Sequence, residues 1–298
     1  METVLSSASK ELRIGGDNPF CIVGERINPT GRKIFQEQLR RGDLSRIEVD
    51  VADQVAGGAM MLDVNMGAPL ADEAGLMVAA VKLIQGRCDL PLCLDSSIVE
   101  VLEAGLATYQ GKALVNSVTA EDERLDAILP LVRRHGAAVI ALPNDEEEIP
   151  EDPRRRLELV RKIVDVATGK HGIPVEDIVI DPLAMPVGAD TSLVLRTLET
   201  IALVREEFGL NMTLGASNVS FGMPDRGSIG AAVNQLTASS NVENTEVTNL
   251  TSAENNIQDA DIGQTVAQMT QYSVLQQTGM EALSQSNQAQ EAVLKLLQ

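Results

Sequence analysis

No stretch of the chain is apolar for long enough to cross a bilayer, and Met1 to Arg13 lacks the apolar core of a signal peptide. The cytosol is therefore the expected location. Cations are scarce: 24 Lys and Arg stand against 43 Asp and Glu, for a net charge of -19, and no run of Lys or Arg occurs. That balance argues against a nucleic-acid partner, because backbone phosphates demand concentrated positive charge. Cysteine is sparse too. Cys21, Cys88 and Cys93 are odd in number and form no C-x-x-C pair, so neither a disulfide framework nor a zinc knuckle is indicated. Core-filling thiols are expected instead.

A second shortage is local. Residues 227–298 hold no Arg, Cys, Pro or His and a single Lys, Lys295, whereas residues 1–226 carry the other 23 cations. Gln, Asn, Ser and Thr dominate the later stretch. The chain reads as two unrelated pieces, 1–226 and 227–298.

What the first piece has is a repeated unit: an apolar run that stops on a polar side chain and is followed by a helical pattern. Leu92-Cys93-Leu94 stops on Asp95. Phe20 to Gly24 stops on Glu25, Met60 to Val64 on Asn65, Ala113 to Val115 on Asn116, Ile178 to Ile180 on Asp181, and Leu214 to Ser217 on Asn218. Ala137 to Leu142 is a further strand. Short buried-type strands alternating with helices predict a parallel sheet, and polar residues at strand C-terminal ends are where a (β/α)8 barrel keeps its chemistry. The fold class expected is α/β, of the (β/α)8 TIM-barrel type. One rim should hold the site.

Between the strands, Ile47, Val51 and Val55 mark a helix ended by Gly57-Gly58. Leu76, Ala80, Leu83 and Ile84 mark another, and Leu125, Ile128, Leu129 and Val132 a third, stopped by His135-Gly136. Leu157, Val160, Val164 and Ala167 give the next, and Leu198 and Ala202 the last before Gly209. Met1 to Asp17 reads as a polar arm. Asp63 and Asn65 share one strand face, so both are able to point at the mouth, and Arg26 is a cation fixed in a Pro- and Gly-rich rim loop. Taken singly, each strand-end Asp has a plainer role: Asp95 before Ser96-Ser97 suits an N-cap, and Asp63 suits a brace of the mouth as well as a ligand contact. The run Asp145 to Glu148 reads as a solvated loop, and His135 and His171, each beside a Gly, as helix C-terminal residues.

Six motifs together carry a resemblance. Gly24-Glu25-Arg26-Ile27-Asn28, Leu62-Asp63-Val64-Asn65-Met66-Gly67, Leu92-Cys93-Leu94-Asp95-Ser96, Val115-Asn116-Ser117, Ile180-Asp181-Pro182-Leu183 and Ser217-Asn218-Val219-Ser220 resemble the pterin-binding barrel of methyltetrahydrofolate:corrinoid protein methyltransferases, over residues 20–226. That superfamily also includes dihydropteroate synthase and the folate domain of methionine synthase. The resemblance implies a pterin held across the mouth by Asp95, Asn116 and Asp181, with Asn65, Asp63, Glu25 and Arg26 around it. It implies Asn218 as the catalytic contact to the nitrogen that bears the methyl group. Tetrahydrofolate or methyltetrahydrofolate is then the substrate. Neither His135 nor His171 lies in a D-x-H-x-x-G motif, so the cobalamin is expected on a separate corrinoid protein. Dihydropteroate synthase is the weaker enzyme alternative, because Glu25-Arg26-Ile27-Asn28 departs from that enzyme's first-strand pattern.

The second piece resembles the C-terminal end of bacterial flagellin, through Ser252 to Ile262, Leu275 to Gly279, Gln285 to Ala289 and Val293 to Leu297. It implies a long-helix tail and, as further partners, flagellin subunits; a filament subunit is the alternative function of a different class. No eighth strand is read after Asn218, so the barrel is expected to stop after its seventh strand, with weak stability as the consequence. A homodimer completes the partners expected.

Overall fold

The computed structural model describes residues 1–16, 18–146, 149–185, 192–215 and 218. All of them belong to the unit Met1–Val242; the other unit, Glu243–Gln298, lies outside the described residues. The flagellin-like segment, the position of an eighth strand and the motif residues Ser217, Val219 and Ser220 likewise fall outside them.

Six strands form one parallel sheet in sequence order: β3 (Val23–Ile27), β4 (Met61–Asn65), β5 (Leu92–Asp95), β6 (Leu114–Thr119), β7 (Ala138–Leu142) and β8 (Ile178–Ile180). Each is joined to the next through helix: α1 (Lys33–Arg40) and α2 (Ser45–Ala56), then α3 (Glu73–Gln85), α4 (Val99–Thr108), α5 (Asp122–His135) and α6 (Pro153–Asp165), the last continued by a π-turn at Val166–Lys170. After β8 comes α7 (Ser192–Phe208), which carries Leu198 and Ala202 and ends just before Gly209, as expected. Of the seventh strand expected at Leu214 to Ser217, Ala216 and Ser217 lie outside the described residues; just ahead of it the sheet gains an isolated bridge. Met212 pairs in parallel with Ile180, through Ile180 N–H to Asn211 O (3.0 Å) and Thr213 N–H to Ile180 O (2.9 Å).

The strands read as apolar runs because both their faces are covered. One face, with Leu62, Val64, Leu94, Val115, Val139 and Ile180, packs on the apolar stripes of the helices. The stripes follow the sequence at Ile47 and Val51 on α2, Leu76 and Ala80 on α3, and Leu125 to Val132 on α5; Val55, expected on the α2 stripe, is exposed. Gly136 closes α5 in the left-handed region at φ 59°, where a side chain is disfavoured. The opposite face forms a second core of Met61, Cys93, Leu114, Ala138, Ile140 and Val179. Cys93 is thus a filler of this core, as expected.

The arm is the clearest correction. Where a polar arm was expected, the described residues form an antiparallel hairpin, β1 (Glu2–Ser6) and β2 (Glu11–Gly15), turned at Ser7 to Lys10. It inserts Leu5 and Leu12 into the second core, beneath Met61, Cys93 and Leu114. Its edges are tied down: Tyr109 Oη donates to Ser6 O (2.8 Å) while accepting from Leu92 N–H (3.1 Å), and Asn211 Nδ2 donates to Thr3 Oγ1 and Ile14 O. Leu5 and Leu12, with Ile14 packed beside them, are its inward apolar side chains, too short a pattern on either strand to announce itself.

Candidate active site

Strand alternation sends Asp63 and Asn65 from β4, Asp95 from β5 and Asn116 from β6 to the same side as Met61, Cys93 and Leu114. Pairing sets their heights. Asn65 lies opposite Asp95 and Asp95 opposite Asn116, so three neighbouring strands present carboxamide, carboxylate and carboxamide at one level. Asp63 stands one pleat deeper, level with Cys93. Asp181 follows β8 directly, its N–H bonded to Ala141 O at 3.0 Å.

Glu25 sits where β3 slips register against β4, between Gly24 and Ile27. A Cβ on Gly24 would come within 2.6 Å of Gln54 Oε1, the atom that accepts from Arg26 N–H at 2.7 Å, so a side chain there would displace that contact. Close approach of helix α2 to the strand thus fixes the irregular stretch that aims Glu25.

Two hydrogen bonds couple these side chains. Asn65 Nδ2 donates to Asp95 Oδ2 at 2.9 Å, and Asn116 Nδ2 donates to Asp63 Oδ1 at 3.3 Å. Asp181 Oδ1 accepts from Leu183 N–H at 2.8 Å, which folds the loop back on the carboxylate. Burial dominates the acidities. It pushes the Asp63 carboxyl up to about 7, with the Asp95 charge adding to the rise and the Cys93 and Asn116 hydrogen bonds opposing it. Burial pushes Asp181 up to about 6, reinforced by Glu25 and opposed by the Leu183 N–H and by Arg156. Asp95 and Glu25 are raised as well, both first by desolvation within the concave mouth; the Asp95 charge adds to the rise of Glu25 and the Asn65 amide restrains that of Asp95. Four acids crowded this way favour a ligand rich in N–H donors, which relieves their repulsion and replaces lost solvent.

The structure therefore brings together Glu25, Asp63, Asn65, Asp95, Asn116 and Asp181. It does not gather Arg26 with them: its side chain is exposed and lines a cleft between β3 and α1. Asn218 is exposed, with its N–H on Gly215 O at 2.9 Å and its Nδ2 2.8 Å from where a Gly215 Cβ would stand. Its carboxamide lies over a bare backbone.

One residue went unread in the sequence. Arg156 of α6 is fully buried and donates from Nε to Pro150 O (2.6 Å) and from Nη1 to Pro182 O (2.7 Å) and Leu183 O (3.1 Å). It clamps the loop that carries Asp181. As the third of three consecutive arginines, Arg154 to Arg156, it has no signal that separates it from its exposed neighbours.

Comparison with known proteins follows the same lines. The family model for pterin binding enzymes matches residues 24–271, a stretch that runs past Arg226 into the segment read above as flagellin-like. The methionine synthase of Mycobacterium tuberculosis is 32% identical over 233 residues, 74% of this chain and 20% of that protein. The methionine synthase of Mycobacterium leprae is 34% identical over 218 residues, 68% of this chain and 18% of that protein. The chain thus spans about a fifth of the length of these relatives. Among solved structures, dihydropteroate synthase from Xanthomonas albilineans in complex with 7,8-dihydropteroate superposes with a TM-score of 0.58 at 19% identity, covering 79% of this chain and 88% of that one. Dihydropteroate synthase from Thermus thermophilus gives 0.53 at 19%, covering 80% and 90%. Their fold is shared. With the family model spanning most of its length, the chain belongs to the pterin-binding enzymes.

Proposed function

We propose that the rim binds the pterin of a folate, and that the chain moves a methyl group between methyltetrahydrofolate and the cobalt of a corrinoid carried by a separate protein. The observation that carries this is the level row Asn65, Asp95, Asn116 with Asp181 beside it. A 2-amino-4-oxo-pterin offers adjacent N–H donors that one carboxylate accepts in pairs, and a carboxamide serves a donor and an acceptor together. Sequence likeness to methionine synthases favours methyl transfer over dihydropteroate synthesis, since the likeness to dihydropteroate synthases is one of fold.

The chemistry asks little of an ordinary general acid. The N–CH3 bond breaks with its electron pair staying on the pterin nitrogen, which a proton then completes. A tertiary amine leaves badly unless that nitrogen is hydrogen-bonded as the bond breaks. Asn218 is the residue assigned to this bond, and a contact that strengthens only as charge develops lowers the barrier without tightening the ground state. The test is a single turnover with methyltetrahydrofolate and a reduced corrinoid protein, followed by the corrinoid's absorbance. Asn218→Ala is expected to slow transfer more than it weakens folate affinity. Equal losses in both would leave Asn218 a ground-state contact, and absence of folate binding in calorimetry to the unaltered chain would remove the proposal altogether.

A further inference from the structure

Asp63 is set apart from the other polar residues of the mouth by depth. It is 5% exposed, whereas Asn65, Asp95, Asn116 and Asp181 are half-buried. Its register partner on β5 is Cys93, and the register partner of Cys93 on β6 is Leu114, so Asp63 stands at the level of the apolar core that the hairpin closes from below. A ligand lying over Asp95 and Asn116 is held one pleat above it.

The partner of Asp63 is not on a neighbouring strand. Asn116 Nδ2 on β6 donates to Asp63 Oδ1 at 3.3 Å, and the bond reaches from β4 to β6 across β5. Side chains of alternate strands share a layer in this way where a sheet curves inward as a barrel. A carboxamide has two ends of similar shape and opposite bonding. A carboxylate only accepts, so it admits the Nδ2 end of Asn116 and rejects the Oδ1 end. With one N–H engaged by Asp63, Asn116 has left for a ligand its second N–H and an Oδ1 that no donor reaches among the described residues.

Asp63 is ill-suited as a prop for the fold. Burial pushes its carboxyl up to about 7, the Asp95 and Glu25 charges add to the rise, and the Cys93 and Asn116 hydrogen bonds oppose it. Above that pH the folded chain holds a desolvated carboxylate that the unfolded chain would keep in water, which lowers stability. A polar group retained against stability marks a site. We infer that Asp63 is a positioning residue: from beneath, it holds the Asn116 amide in one orientation and so fixes the order of donor and acceptor offered to the pterin, without touching the pterin itself. The assignment rests on the folate proposal above.

A double-mutant cycle on tetrahydropterin affinity, read by calorimetry at pH 8, tests it. Asp63→Ala is expected to weaken binding about tenfold and Asn116→Ala at least as much, with the double variant no weaker than Asn116→Ala alone, since Asp63 acts only through that amide. Asp63→Asn keeps an oxygen to accept from Asn116 Nδ2 and should bind within about threefold of the unaltered chain. Asp63→Val, which fills the same space without an acceptor, takes the place of Asp63→Ala in the cycle if the alanine variant does not fold. Losses that multiply in the double variant, unweakened binding by Asp63→Ala, or an Asp63→Asn as weak as Asp63→Ala would each overturn the positioning role and leave the folate proposal standing. An unaltered chain that binds no tetrahydropterin overturns both.

Discussion

Asn65 donates its side-chain amide to Asp95 Oδ2 at 2.9 Å, between register-paired positions of adjacent strands. Its own Oδ1 is engaged by Gly67 N–H at 2.7 Å, so the amide has a single workable orientation. The consequence is a carboxylate with one oxygen held and the other, Oδ1, without a donor among the described residues. A pterin N–H would meet an acceptor already aimed. An N-cap role, the plainer assignment for Asp95, is not what its hydrogen bonds describe: the side chain that turns into the following loop is Ser96, whose Oγ accepts from Ile98 N–H.

Asp95→Ala should therefore weaken folate binding by about 2 to 4 kcal/mol, because the pterin donors lose a charged acceptor and are left facing a half-buried wall. Isothermal calorimetry at neutral pH reads this directly. Unchanged affinity would reduce Asp95 to a support for Asn65.

Asp63 sets a pH dependence whose sign is opposite to that of a surface carboxylate. Its ordinary value of 3.8 is raised to about 7 in the folded chain, and that of Asp181 to about 6. The folded state then binds more protons than the unfolded chain from about pH 4 upward, so stability falls as pH rises through about 7 and the loss is complete above it. Carboxylates held low by arginines, such as Glu2 and Glu37, act below their ordinary 4.5 and leave this window clear. Asp63→Asn keeps an oxygen to accept from Asn116 and removes the proton. Urea midpoints from roughly pH 5.5 to 8 should fall for the unaltered chain and flatten for Asp63→Asn. A slope that persists in the variant would assign it to Asp181.

The sequence made the side of the rim legible because strand alternation is binary, so Asp63 and Asn65 share a face; that Asn65 stands level with Asp95 is set by the pairing register, which the structure supplies. The apolar stripes of α2, α3 and α5 were equally readable, since each repeats at helical spacing. What escaped was information held in single contacts. Each hairpin strand is five residues long and turns just Leu5, or Leu12 and Ile14, toward the core, and the partners Tyr109 and Asn211 lie more than a hundred residues from the residues they bond. The parallel bridge at Met212 escaped because one paired residue carries no hydrophobic pattern. Asn211 and Thr213 reveal themselves only by bonding Ile180.

Arg156 is the other residue whose role is purely tertiary, and it can be tested for that role. Its guanidinium reaches two loops at once, Pro150 on one side and Pro182 and Leu183 on the other, from full burial. A lysine in its place carries the charge but is a point donor that cannot span both. Leu183 has φ of 60°, unusual for a side chain with a Cβ, and its N–H is the one that Asp181 accepts. Removing the clamp therefore frees the turn that aims Asp181. Arg156→Lys is expected to destabilise the chain by about 2 to 4 kcal/mol, because buried carbonyls lose charge-assisted donors. It is also expected to weaken folate binding by about tenfold through the displaced Asp181, an effect that a purely structural arginine would not produce once the folded fraction is accounted for. Urea unfolding gives the first number and calorimetry on the folded protein the second. A stability loss with folate affinity intact would show that the Asp181 turn holds its shape without the arginine.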